Sequence, residues 1–111
     1  MSIGRNAVRM EMPAALGELY AVPTAKRFEI RSITAVNRDD SVSAEWYVYL
    51  VEDGDTADNS NVLIPGTTQW KIPAGRNIDY ETWKVLGSKA TIQGYSPGSV
   101  TIHIDGALVD A

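Results

Sequence analysis

The sequence predicts an all-β fold: a single-domain, jelly-roll-like β-sandwich of about eight antiparallel strands. Three observations predict it. Short segments rich in Val, Ile, Thr, Tyr and Trp recur from Leu16 onward, and such side chains suit a pleated, half-buried surface. Turn-forming pieces separate them, namely Pro65-Gly66, Pro73-Ala74-Gly75, Gly87-Ser88 and Pro97-Gly98, whose backbones favour reversals. The one stretch with helix-forming composition, Asn6 to Tyr20, is interrupted by Pro13 and Gly17 and holds no helical period. Strands at this spacing indicate a sandwich or a barrel, and a jelly roll is the natural eight-strand version.

Residues 1–15 read as an extended or irregular N-terminal arm, and residues 16–111 as the sandwich. The first strand runs Leu16–Val22 and stops at Pro23. The second, Lys26–Asn37, changes phase: Phe28 and Ile30 share one face, whereas Ile33 and Ala35 fall on the other. A strict period of two cannot bury all four, so a β-bulge is expected near Arg31-Ser32. Ser43–Glu52 is the third strand, with Trp46, Val48 and Leu50 on one side and Tyr47, Tyr49 and Val51 on the other. A strand apolar on both sides lies mid-structure or carries an interface on its outer face. After the polar stretch Asp53–Asn61 come Val62–Ile64, Thr67–Ile72, Asn77–Trp83, Ala90–Tyr95 and Val100–Ile104. In the last of these Val100, Ile102 and Ile104 point inward, and Thr101, His103 and Asp105 outward.

Composition narrows the function. With 44% hydrophobic and 22% charged residues, the 111-residue chain has ordinary globular usage for one domain. The net charge of −4, with its ten Lys and Arg dispersed along the chain, argues against nucleic acid as a partner, because phosphate neutralisation needs a basic face. There is no cysteine, so disulfides, thiolate catalysis and Cys-based metal sites are excluded, which fits cytosolic synthesis or stabilisation through oligomeric contacts. Met1–Pro13 has no continuous apolar h-region, so no signal peptide is expected. No run is long enough to span a membrane.

No site for a cofactor, metal or catalysis is expected. His103 is the only histidine, and Thr101 and Asp105 share its face, but no serine is read as the nucleophile such a pair would need. An outward polar position on a half-buried strand explains it. Asp53, Asp55, Asp58 and Asn59 cluster oxygen donors that suit a hard cation, yet the glycine is misplaced for an EF-hand loop, and tight β-connections use the same residues. No Gly-rich phosphate loop occurs. The aromatics Trp46, Tyr47, Tyr49, Trp70, Tyr80, Trp83 and Tyr95 are more informative, since Trp and Tyr serve interfaces as well as cores. Trp46 is assigned to the core, and Tyr47 and Tyr49 to an interface. The arm, with Arg5, Val8, Arg9, Met10 and Met12, mixes cationic and adaptable apolar side chains, and reads either as a disordered terminus or as an arm lying across a neighbouring subunit.

The segment Leu19-Tyr20-Ala21-Val22-Pro23-Thr24-Ala25-Lys26-Arg27 leads into Ile30-Arg31-Ser32-Ile33-Thr34-Ala35-Val36-Asn37. With Val48-Tyr49-Leu50-Val51, Ile72-Pro73-Ala74-Gly75, Val85-Leu86-Gly87 and Ala90-Thr91-Ile92-Gln93, it resembles small phage virion proteins over about residues 16 to 105. Length, acidity and the N-terminal arm look most like the staple or cement proteins that decorate the capsids of epsilon15-like short-tailed phages. The resemblance implies a jelly-roll-like fold, a place on the outer capsid surface, pairing with a second copy as a homodimer about two-fold positions, and contact with several major capsid protein subunits. The expected contacts are Arg5, Arg9, Met10 and Met12 of the arm, together with Tyr47, Tyr49 and His103 on outer strand faces. The rival readings are a tail- or fibre-associated module binding carbohydrate through Trp70, Tyr80 or Trp83, a small hydrolase using His103 and Asp105, and a purely structural tail or connector component.

Overall fold

The longest alternating run, Lys26–Asn37, folds as one strand and carries the expected slip. Its pairing shifts between Ile30 and Ser32 against both neighbouring strands, so Arg31 is the extra residue against the last strand. The slip lets Phe28, Ile30, Ile33 and Ala35 all be fully buried. Burying each large side chain of this kind contributes about 1.5–3 kcal/mol, which a regular strand would forfeit for half of the set. Opposite Ile30 lies Gly106, where a Cβ would stand 2.4 Å from the Glu29 carbonyl oxygen and 2.7 Å from Phe28 Cζ. Only glycine fits this close approach.

The computed structural model of the chain describes the backbone of residues 3–110 and the side chains of residues 8–110. Its strands are β1 (Ile3–Glu11), β2 (Gly17–Ala21), β3 (Lys26–Asn37), β4 (Tyr47–Val51), β5 (Val62–Pro65), β6 (Asn77–Leu86), β7 (Thr91–Tyr95) and β8 (Val100–Asp110). Sheet I has the order β1-β8-β3-β6, and sheet II the order β2-β7-β4-β5. All pairs are antiparallel. Strand β1 pairs with β8, β2 with β7, β3 with β6 and β4 with β5. This is the pattern of one antiparallel ribbon rolled into two sheets, with β3–β8 and β4–β7 as the seams made by rolling. The chain is a jelly roll.

Five elements differ from the sequence reading. Residues 3–11, expected within an extended or irregular arm, form β1 in continuous register with β8, from Ile3 opposite Val109 to Glu11 opposite Thr101. Alternation explains it: Val8 and Met10 pack against the core, and Met12 is buried, while Arg9 and Glu11 stay exposed. Thr67–Ile72 is not a strand; Thr68–Trp70 makes a single 3₁₀ turn. The turn brings the Trp70 carbonyl to the buried Trp46, whose Nε1 donates to it at 2.6 Å. Satisfying that indole N–H in the core outweighs a ladder position. Ser43–Glu52 is shortened to β4, with Ala44 joined to Ile72 by an isolated bridge, whereas β6 and β8 run on to Leu86 and Asp110.

Asn37, at the end of β3, is buried. Its Nδ2 donates to the Val42 carbonyl at 2.8 Å and the Ile72 carbonyl at 3.1 Å, and its Oδ1 accepts from Asp39 N–H at 3.0 Å. One amide thus ties the β3 end to the segments that cross to sheet II.

Candidate functional site

Each sheet turns one face inward and leaves the other outward, and the candidate contact residues divide between the two outer faces and the core. On sheet I, the register aligns Arg9, His103, Thr34 and Asp79 in one row across β1, β8, β3 and β6. Thr34 Oγ1 donates to Asp79 at 2.8 Å. Val8, Arg9, Ser32, Thr34, His103, Ile104 and Asp105 line a shallow hollow there. Arg9 and His103 are therefore neighbours on an accessible polar face. Arg5 lies opposite Ala107 in the same alternation, but its side chain falls outside the described residues. Met10 and Met12 are not on this face. Both turn toward the core, because alternate residues of β1 must cover Ile102 and its neighbours.

Sheet II carries an aromatic outer face. Tyr47 sits between Tyr95 and Pro65 in register, and Tyr49 lies opposite Gln93. All five side chains are half-buried. The Tyr47 phenol donates to Glu45 Oε2 at 3.0 Å. That bond, with desolvation and the nearby carboxylate charge adding, holds the Tyr47 hydroxyl above its ordinary pKa. Burial, with Tyr95 beside it, pushes Tyr49 the same way. Both phenols are thus favoured in their neutral form, and tyrosine is a residue enriched where proteins meet. Gly66 (φ +69°) passes directly over Tyr47, where a Cβ would come within 2.4 Å of the ring.

The other sequence candidates disperse. Trp70 meets Tyr80 edge-on, with centroids 5.3 Å apart and planes at 80°, and both pack against the core. Trp83, 72% exposed, stands apart from them, so the three aromatics do not share one platform. In the polar stretch 53–61, Asp58 accepts from Ser60 N–H at 2.8 Å, and Asn61 Nδ2 donates to the Thr56 carbonyl at 2.8 Å. These bonds close the turn. Among the described residues, no group of three His, Asp or Glu converges to hold a metal.

Sequence reasoning passes over one match: Gly94-Tyr95-Ser96-Pro97-Gly98 spells Gly-x-Ser-x-Gly. The context is wrong for a nucleophile elbow, which needs a strand-to-helix turn with an exposed hydroxyl. Ser96 is buried and links β7 to β8. Its Oγ donates to the Glu45 carbonyl at 2.6 Å and accepts from Gly98 N–H at 3.1 Å. Ser32 does fall opposite Asp105 beside His103, but no hydrogen bond joins Ser32 to His103 among the described residues. Tyr95 is also missed as a surface group. Alternation from Ile78 and Tyr80 already puts Trp83 outward, whereas Tyr95 needed the β4–β7 register.

No protein-family model matches the chain, and a search of curated proteins gives no match. Among solved structures, it is similar to a chain in the acidic stable capsid structure of Helicobacter pylori bacteriophage KHP30, with 6% identity and a TM-score of 0.52, over 98% of this chain and 88% of that one. It is also similar to the nucleoplasmin-like N-terminal domain of Drosophila FKBP39, with 15% identity and a TM-score of 0.46, over 98% and 91% of the two chains. A pentameric capsid protein isolated from metagenomic phage sequences matches with 18% identity and a TM-score of 0.39, over 95% and 61%. At these identities the KHP30 likeness is one of fold.

Proposed function

We propose that the chain is a structural protein of a phage virion that decorates the outer capsid surface and staples neighbouring major capsid subunits, with a second copy beside it. The tyrosine face of sheet II carries this reading. Tyr47, Tyr49 and Tyr95 form a pre-arranged aromatic surface that folding leaves half open, and rigid aromatic side chains bind with little further loss of entropy. The polar face of sheet I, with Arg9 and His103, lies on the opposite side of the sandwich. Two faces back to back let one copy touch two subunits at once. The fold shared with the KHP30 capsid chain and the motifs of residues 16–105 support the same reading.

The mechanism is mass action. A protein that binds assembled shell and not free subunits shifts the equilibrium toward assembly. Bridging makes the second contact intramolecular, at high effective concentration. The test is electron microscopy of intact particles, with re-addition of the purified protein to stripped shells. Density for the chain on the outer shell, and re-addition that saturates and is lost with Tyr47→Arg, is the expected result. Density confined to the tail would overturn the decoration role.

A further inference from the structure

We infer that the hollow between Arg31 and Trp83 binds one uncharged hexose unit of a glycan. Two strand irregularities coincide there. Arg31 is the extra residue of β3 against β8, and on the other side Thr82 and Trp83 of β6 together face that same position. Coincident bulges splay a seam and re-aim its side chains. An open hollow of about 520 Å³ results, lined by Arg31, Ser32, Glu81, Thr82 and Trp83. Small-ligand sites occupy about 300–1,000 Å³, so the space suits a single sugar ring.

The lining selects the ligand. The Arg31 guanidinium carbon stands 5.2 Å from the Trp83 ring centroid, bracing one face of the indole by cation–π attraction. With 72% of Trp83 exposed, the other face is open. A hexose presents an apolar face of C–H groups and a rim of hydroxyls. The C–H face stacks on the indole, and rim hydroxyls donate to the Glu81 carboxylate and accept from Arg31 N–H groups. Ser32 and Thr82 hydroxyls can do either. An anionic ligand would meet Glu81, a cation would meet Arg31, and a purely apolar group would leave both unpaired. A polyhydroxylated neutral ring satisfies all of them. This inference does not depend on the virion reading; if that reading holds, many weak sites on one particle would act together through avidity.

The experiment titrates the ¹⁵N-labelled full chain with methyl glycosides of glucose, galactose and mannose and with N-acetylglucosamine, following the indole N–H signals. Trp46, whose Nε1 is bonded inside the core, is the internal control. For at least one sugar, the Trp83 signal and the Glu81 and Ser32 amides should shift and saturate in the millimolar range while Trp46 stays fixed. Trp83→Ala and Glu81→Gln should each weaken that binding about tenfold or more, and Tyr47→Ala should leave it unchanged. No saturable shift with any of the four sugars, or shifts that survive Trp83→Ala, would overturn the site. So would a Trp83 signal that responds to protein concentration alone, which would assign the ring to a second copy.

Discussion

Tyr47 and Tyr95 lie face to face across β4 and β7, with ring centroids 4.5 Å apart and planes within 7° of parallel. The pair is directly opposite in register, on the outer side of sheet II. Stacked rings contribute about 0.5–1.5 kcal/mol beyond their buried area. A double-mutant cycle with Tyr47→Ala and Tyr95→Ala, read by urea unfolding, should give a coupling energy of about that size. Strictly additive losses would show that the rings contribute only through area.

The hydroxyl of Tyr47 gives the same face a pH signature. Its bond to Glu45 favours the neutral phenol, so the folded pKa lies above the ordinary 10.0. A raised folded pKa means that this contribution to stability is fully present below pH 10.0 and fades as pH rises through the folded value. Tyrosinate absorbance should therefore show a tyrosine titrating late, and Glu45→Gln should move its midpoint back toward the ordinary value. A midpoint unmoved by Glu45→Gln would remove the Glu45 bond as the cause.

Gly66 holds the ring from above. Gly66→Ala combines a strained positive φ with a methyl driven into Tyr47. Overpacking of this kind costs about 1–3 kcal/mol. The variant should melt at lower temperature and attach more weakly to stripped shells. Unchanged melting would mean that the ring moves aside freely.

Asn37 tests the corner between the sheets. Asn37→Leu takes the donor from the Val42 carbonyl and the acceptor from Asp39 N–H, while the Ile72 carbonyl keeps Ala44 N–H at 2.9 Å; a polar group left without its partner costs about 1–3 kcal/mol. A fall in the urea midpoint with an unchanged slope is expected. A midpoint equal to that of the wild type would show that water replaces the amide.

Removing residues 1–11 takes away an edge strand. Strand β8 would become the new edge, with a row of unpaired N–H and C=O groups facing solvent, and Met10 would leave its place against the core. Such a truncation should aggregate or exchange its β8 amides rapidly, so it cannot by itself report on capsid attachment. Arg9→Glu, on the exposed side of β1, separates surface contact from stability: it should lower shell occupancy without moving the melting temperature. A truncated chain that stays monomeric and equally stable would show that β1 is dispensable.

Local grammar made much of this molecule readable. The strand Lys26–Asn37, its bulge at Arg31, the inward row Val100, Ile102 and Ile104, and the core place of Trp46 all follow from residue alternation, because one buried face imposes a period of two. The reading failed where long-range pairing competes with local signals. Pro13 and Gly17 made residues 1–15 look irregular, yet β8 offered an unpaired edge that drew residues 3–11 into register. Thr67–Ile72 alternates like a strand, but Trp46 needed the Trp70 carbonyl. The outer aromatic face was half legible: Tyr47 and Tyr49 announce themselves within one strand, whereas Tyr95 joins them only through a neighbour distant in sequence.

Thus the chain by itself determined the all-β class, the segments that alternate and the exclusion of thiol and disulfide chemistry, since each depends on neighbours a few residues apart. Strand order, the capture of β1 by β8, the stacking of Tyr47 on Tyr95 and the hollow at Arg31 and Trp83 were decided by tertiary structure. Those features arise from backbone groups and side chains far apart in sequence, which meet only when the ribbon rolls and every buried donor must find an acceptor.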